Sequence, residues 1–237
     1  MKVIGLLGGM SWESSLEYYR LVNERVKAAL GGFHSARTVL YSVDFAEIEA
    51  LQVAGRWDEA GAVLARAARA LEAAGADVVV VCTNTMHKVA GDIAAAVGIP
   101  LLHLADATAA AIVADGHKRA GLLGTRFTME QPFYRDRLAA HGLDVLVPGP
   151  DDRDLVHRVI YDELVLGVVR EESRAAYRGV IARLVEAGAD AVIYGCTEIE
   201  LLVGPGDSEA PTFPTTRLHA EAAADFALGL RPLPPSP

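Results

Sequence analysis

Short runs of β-branched and aliphatic residues alternate along this chain with longer alanine-rich stretches whose apolar positions recur every three or four residues. The runs predict strands at 3–7, 38–42, 78–82, 101–104, 120–123, 143–147 and 191–194. Most are continuously apolar, as strands buried on both faces are. Helices are predicted near 12–30, 57–74, 105–114, 129–141, 153–166, 173–187 and 216–228. This alternation calls for an α/β fold built on a mostly parallel sheet with helices on both faces. The proline-rich tail at 231–237 has nothing to pack and is expected to be disordered.

The pattern also repeats. AGADVVVVCTNT at 74–85 resembles AGADAVIYGCTE at 187–198, 113 positions later, and GLLG at 5–8 returns 116 positions later at 121–124. Tyr19-Arg20 is echoed by Tyr134-Arg135 at an offset of 115. Agreement in order and spacing, more than any single match, predicts two pseudo-symmetric α/β lobes at 1–114 and 115–215, with an active site in the cleft between them. The helix at 216–230 is free to pack back on the first lobe.

Composition narrows the partners. The 237 residues carry 22 Lys and Arg against 31 Asp and Glu, a net charge of −9 with no basic run, which excludes a nucleic-acid surface. Mean hydropathy is +0.24, yet every apolar stretch is broken before the roughly 20 residues a bilayer crossing needs, so no membrane partner is expected. The opening MKVIGLLGGM reads as a buried first strand rather than a leader. Two cysteines without close spacing suit a reducing cytoplasm, the expected location.

In open parallel sheets ligands bind beyond the carboxyl ends of the strands. The residues there are Gly8-Gly9-Met10-Ser11-Trp12, Thr83-Asn84-Thr85-Met86-His87, Thr125-Arg126-Phe127-Thr128 and Cys196-Thr197-Glu198. GLLGGM does not fit G-x-G-x-x-G, no phosphate-loop motif exists, and the seven histidines lack metal-ligand spacing, so neither a nucleotide cofactor nor a metal is expected. GMSWE misses the serine-hydrolase elbow by placing Glu13 where glycine is needed. Gly8 and Gly9 make a tight turn whose N–H groups would be open to a substrate carboxylate.

Cys196 follows a buried strand and opens a helix, a position expected to lower its pKa. Cys82, inside VVVVC, reads as a buried, inert thiol. Aligning the halves sets Thr83, not Cys82, opposite Cys196. His87, four residues after Thr83, is placed to turn towards the site and relay a proton, whereas His117 and His141 read as solvated.

The segments GLLGGMSWES, CTNTMHKVA, LLGTRFTMEQPFY and GCTEIELL resemble, end to end, the cofactor-independent aspartate/glutamate racemase family. The resemblance implies two lobes with the site between them, and two opposed thiols exchanging protons with the α-carbon of an acidic amino acid. It also implies no cofactor and, in many members, a homodimer. Cys196 matches the second-half thiol, while the usual Cys-Asn-Thr of the first half reads Thr83-Asn84-Thr85, as in members with a Thr/Cys pair that act unequally on the two enantiomers. Substrate contacts are implied at Met10, Trp12, Asn84, Thr85, Thr125, Thr197 and Glu198, with Gly8, Gly9 and His87 behind them. A basic residue found in some members shortly before the glycine matching Gly167 is replaced by Val165. Two other readings use the same residues: a one-cysteine decarboxylase or isomerase of the superfamily, and an amino-acid-binding protein that has lost turnover.

Overall fold

A computed structural model describes residues 1–236 and divides them into two compact units, residues 1–104 with 219–236, and residues 105–218. The expectation of a disordered tail falls partly on Pro237, outside the described residues.

In the first unit, β1 (Ile4–Gly8), β2 (Thr38–Ser42), β3 (Val78–Val81) and β4 (Leu101–Leu102) form a parallel sheet in the order β2-β1-β3-β4. Every residue of β1 and β3 is buried. Strand alternation sends Ile4, Leu6, Val78 and Val80 into one layer with Tyr18, Leu21, Val22 and Val26 of α1 (Trp12–Leu30) and four alanines of the final helix, from Ala220 to Ala227. Leu7, Val79 and Val81 enter the opposite layer, against Leu64, Ala67, Ala68 and Leu71 of α3 (Trp57–Ala73).

Helix α2 (Phe45–Val53) was not predicted, because its burial rests on only Ile48 and Gln52 and leaves no clear apolar stripe. After β3 the chain makes a 3-10 turn over Thr85–Val89 and the short α4 (Ala90–Ala95). His219 lies in this unit's core, where it donates from Nε2 to the Leu102 carbonyl at 2.9 Å and accepts from the Tyr18 hydroxyl at 2.8 Å. Burial pushes its pKa down to about 3 and keeps it neutral.

The second unit has the same strand order. Strands β5 (Arg119–Gly124), β6 (Asp144–Leu146), β7 (Ala191–Gly195) and β8 (Thr212–Pro214) run parallel in the order β6-β5-β7-β8. Strand β8, only three residues and ending in proline, escapes the hydrophobic pattern. Helix α5 (Leu104–Ala114) groups here from Ala105 onward. Its buried Asp106 carboxylate accepts two hydrogen bonds from Arg137 at 2.7 Å and one from His141 at 2.9 Å. His141 is therefore not the solvated residue expected, since this carboxylate draws it in.

The single helix predicted at 129–141 is two, α6 (Arg126–Glu130) and α7 (Pro132–Ala140), because Pro132 has no N–H and biases Gln131 to the extended backbone it adopts. Helix α8 (Pro150–Asp162) likewise stops before a 3-10 turn at Leu164–Leu166, which ends on left-handed Gly167 at φ 71°. Helix α9 (Glu171–Glu186) contributes Tyr177, Val180, Ile181 and Leu184 to a core shared with Leu123, Val192 and Tyr194. Helices α10 (Ile199–Leu202) and α11 (Thr215–Leu228) complete the chain, and Thr215 donates to the Tyr194 carbonyl at 2.9 Å. Among the described residues no helix is long and apolar enough to cross a membrane.

Candidate active site

The carboxyl end of β1 leads into the turn that the glycines make possible. Gly9 has φ +91°, where a side chain is strained and would strike the Val43 backbone. Its N–H donates to the buried Ser15 hydroxyl at 2.8 Å. The Gly8 carbonyl accepts from Val43 N–H at 3.0 Å, and a Cβ at Gly8 would run into Ser15 Oγ. The expectation that this turn offers free N–H groups to a carboxylate is thus corrected at Gly9, because Ser15 takes that donor. Met10 is 5% exposed and packs in the core beside Leu7 and Ile48, while Trp12 stands 64% exposed at the start of α1.

Beyond β3 the polar cluster is ordered by main-chain contacts. Thr83 is half-buried, and Asn84, Thr85 and His87 are buried. The Ser14 hydroxyl donates to the Cys82 carbonyl at 2.9 Å. His87 donates from Nδ1 to the Thr83 carbonyl at 2.7 Å and accepts from Leu104 N–H at Nε2 at 3.1 Å. Both ring nitrogens are committed to backbone groups, which removes His87 as a proton relay. The Cys82 thiol is fully buried, donates weakly to the Val80 carbonyl at 3.6 Å, and is pushed up by burial, as its inert reading requires.

Gln52 of α2 was missed. It is 4% exposed, donates from Nε2 to the Met86 sulfur at 3.0 Å, and leaves Oε1 without a hydrogen-bond partner among the described residues. A buried amide acceptor left open is costly unless something visits it. The one available signal was a glutamine four positions after Ile48, in the buried phase of a short helix.

In the second unit, Thr125 caps α6. Its hydroxyl accepts from Thr128 N–H at 3.4 Å and lies 3.2 Å from the Thr128 hydroxyl. Beyond β7, Gly195 packs so closely that a Cβ would lie 2.7 Å from the Leu123 carbonyl. Cys196 then donates from Sγ to Glu198 Oε2 at 2.9 Å, and the Thr197 and Thr216 hydroxyls meet at 2.8 Å. Glu198 is 7% exposed. Burial first, then the Glu198 carboxylate, push the Cys196 thiol well above its ordinary value. This reverses the lowered value expected from a helix start. Helix α10 has only four residues and too few aligned peptides to outweigh a carboxylate in hydrogen-bond contact.

The arrangement holds a protonated thiol against a buried proton acceptor, a pair suited to moving one proton. Among the described residues no group of three or more His, Cys, Asp or Glu is placed to hold a metal ion.

Residues 7–223 match the family model described as Asp/Glu/hydantoin racemase. A Yersinia pestis crystal structure, described provisionally as an Asp/Glu racemase, is 58% identical with a TM-score of 0.92 over 96% of this chain and 100% of that one. An aspartate racemase homologue from Pyrococcus horikoshii is 31% identical with a TM-score of 0.85, again over 96% and 100%. The aspartate racemase of Picrophilus torridus, 21% identical over 97% of this chain and 95% of that one, shares the fold at a TM-score of 0.76. The family resemblance read from the sequence is borne out: the chain belongs to the Asp/Glu/hydantoin racemase family and is an amino-acid racemase.

Proposed function

We propose that the protein interconverts the enantiomers of aspartate or glutamate without a cofactor, by proton transfer at the α-carbon. In this reading Cys196 is the acid/base on one face of the substrate and Thr83 serves the other. What carries it is the hydrogen bond from Cys196 Sγ to Glu198. The thiol proton has an acceptor already in contact, so the thiolate forms by transfer along an existing bond. That thiolate takes the α-proton, and the Cα–H electron pair stays on the substrate as a carbanion. A proton delivered to the opposite face completes inversion, and the Thr83 hydroxyl is the group offered there. A hydroxyl ionises far less readily than a thiol, so the two enantiomers react at unequal rates.

The developing charge on the substrate needs fixed donors. Asn84, Thr85 and Thr197 are assigned to the substrate's carboxylates, the open Gln52 oxygen, an acceptor, to its ammonium group, and Trp12 to its outer edge. Met10 and Thr125 are assigned to shaping the surrounding turns, since a packed side chain and a helix-capping hydroxyl occupy them. On the family resemblance the working form is a homodimer, and two cysteines without close spacing favour the cytoplasm.

Incubation with L-Asp and L-Glu in deuterated water tests the reading. Deuterium at the α-carbon with inversion is expected, and Cys196→Ser should lower the rate about 10²–10⁴-fold. Activity of Cys196→Ser within twofold of the parent would overturn the assignment. Exchange or conversion without inversion would favour the one-cysteine alternative, whose basis is the hydroxyl standing at Thr83.

A further inference from the structure

We propose that Ser14 and His87 are positioning residues for Thr83, clamping the carbonyls on either side of it. The inference rests on the reading of Thr83 as the group serving one face of the substrate. The β3 ladder runs out at Cys82, whose N–H still bonds the Leu7 carbonyl at 2.9 Å. The next two carbonyls are held by side chains: Cys82 O by the Ser14 hydroxyl at 2.9 Å, and Thr83 O by His87 Nδ1–H at 2.7 Å.

The second clamp is itself locked. A main-chain carbonyl only accepts and a main-chain N–H only donates, so bonds from Nδ1 to Thr83 O and from Leu104 N–H to Nε2 fix the neutral Nδ1–H tautomer of His87. The ring is 3% exposed and packs edge-on against His103 at a centroid distance of 4.6 Å and His219 at 5.6 Å. His219 is anchored in turn to Tyr18 and to the Leu102 carbonyl. Both anchored imidazoles therefore grip the backbone at 102–104, where β4 ends and α5 begins.

This is more buried polar structure than a 3-10 turn needs to form, since the turn has its own bond from His87 N–H to the Asn84 carbonyl at 3.1 Å. The excess has a chemical use. A hydroxyl ionises far less readily than a thiol and has less driving force for proton transfer, so its contribution depends all the more on placement. A misplacement of about 1 Å at a reacting group costs on the order of 10²-fold.

The test compares His87→Asn, whose amide nitrogen falls near the place of Nδ1, with His87→Gln, which carries it one bond further, and with His87→Phe. Inversion should fall roughly 10–100-fold in His87→Phe and His87→Gln and recover to within about fivefold of the parent in His87→Asn, with KM little changed. Ser14→Ala should fall in the same direction. Deuterium wash-in without inversion, in the enantiomer that Cys196 serves, should stay within about threefold of the parent. The clamp is overturned if wash-in and inversion fall together, if His87→Asn fails as His87→Phe does, or if His87→Phe inverts within twofold of the parent. Should His87→Phe not fold, the comparison of Gln with Asn decides. Thr83→Ala separates the two levels. Unimpaired inversion there overturns the role of Thr83 and the clamp with it, whereas an impaired Thr83→Ala beside an unimpaired His87→Phe overturns the clamp alone.

Discussion

A thiol in hydrogen-bond contact with a buried carboxylate answers to two opposing demands. Glu198 accepts a hydrogen bond from the Cys196 thiol and helps to hold its pKa up, and in the proposed reaction it is also the acceptor that takes that proton. Glu198→Gln should therefore move two observables in opposite directions. Removing the charge lowers the thiol's pKa, so alkylation by iodoacetamide at pH 7–8 should quicken about tenfold. Turnover should fall about 10²-fold as the proton acceptor is lost. Slower alkylation with unchanged turnover would show that Glu198 does neither. The same shift sets a stability sign. Because the folded value lies above the ordinary thiol value of 9.0, the contribution is fully present below about pH 9 and is lost as pH rises through the folded value. Denaturant titrations from pH 8 to 10 should show a decline that is shallower in Cys196→Ala, where only the buried Cys82 thiol remains to contribute it.

At the level of elements, the site depends on turns whose geometry leaves little slack. Gly9 follows β1 at φ +91° with the Val43 backbone where a side chain would go. Gly9→Ala should lower stability by at least about 1–3 kcal/mol, the cost of a strained backbone alone, and should disturb the Ser15 bond that ties the turn to α1. Thermal melts that match the parent within a degree would show that the turn relaxes freely. The elements also mark where periodicity loses its force. Helix α1 was legible at both ends, with Ser11 accepting from Ser14 N–H at 3.2 Å as its cap. The helix at 129–141 was not, since an apolar period carries across Pro132 although the hydrogen-bond ladder does not.

Over the whole molecule, two units with one strand order carry different chemistry at matching positions. Strands β3 and β7 begin 113 residues apart, and the residues that follow them include Thr83 in one case and Cys196 in the other. Repetition supplies the scaffold, and in the proposed reaction the departure from it supplies the bias between enantiomers. The proposed catalysis by side chains alone predicts that exhaustive dialysis against a chelator leaves the racemisation rate unchanged. Recovery of activity only on adding a metal ion or pyridoxal phosphate would contradict it.

The sequence by itself determined the fold class, the duplication of the α/β pattern and the polar segments that end its strands. Continuous apolar runs such as VVVV and IGLLG can be satisfied only by burial on both faces, and their repetition in the same order at offsets of 113 and 116 leaves few topologies. It also marked Cys196 as the thiol to watch and Cys82 as the one to set aside. The tertiary structure alone decided what each polar group is free to do. Gly9 loses its N–H to Ser15, His87 loses both nitrogens to Thr83 and to Leu104 seventeen positions on, and Gln52 keeps an open oxygen. The state of Cys196 was beyond the reach of spacing for the same reason. A thiol's proton is held by burial and by the nearest charge, and both are fixed only when distant segments close around it.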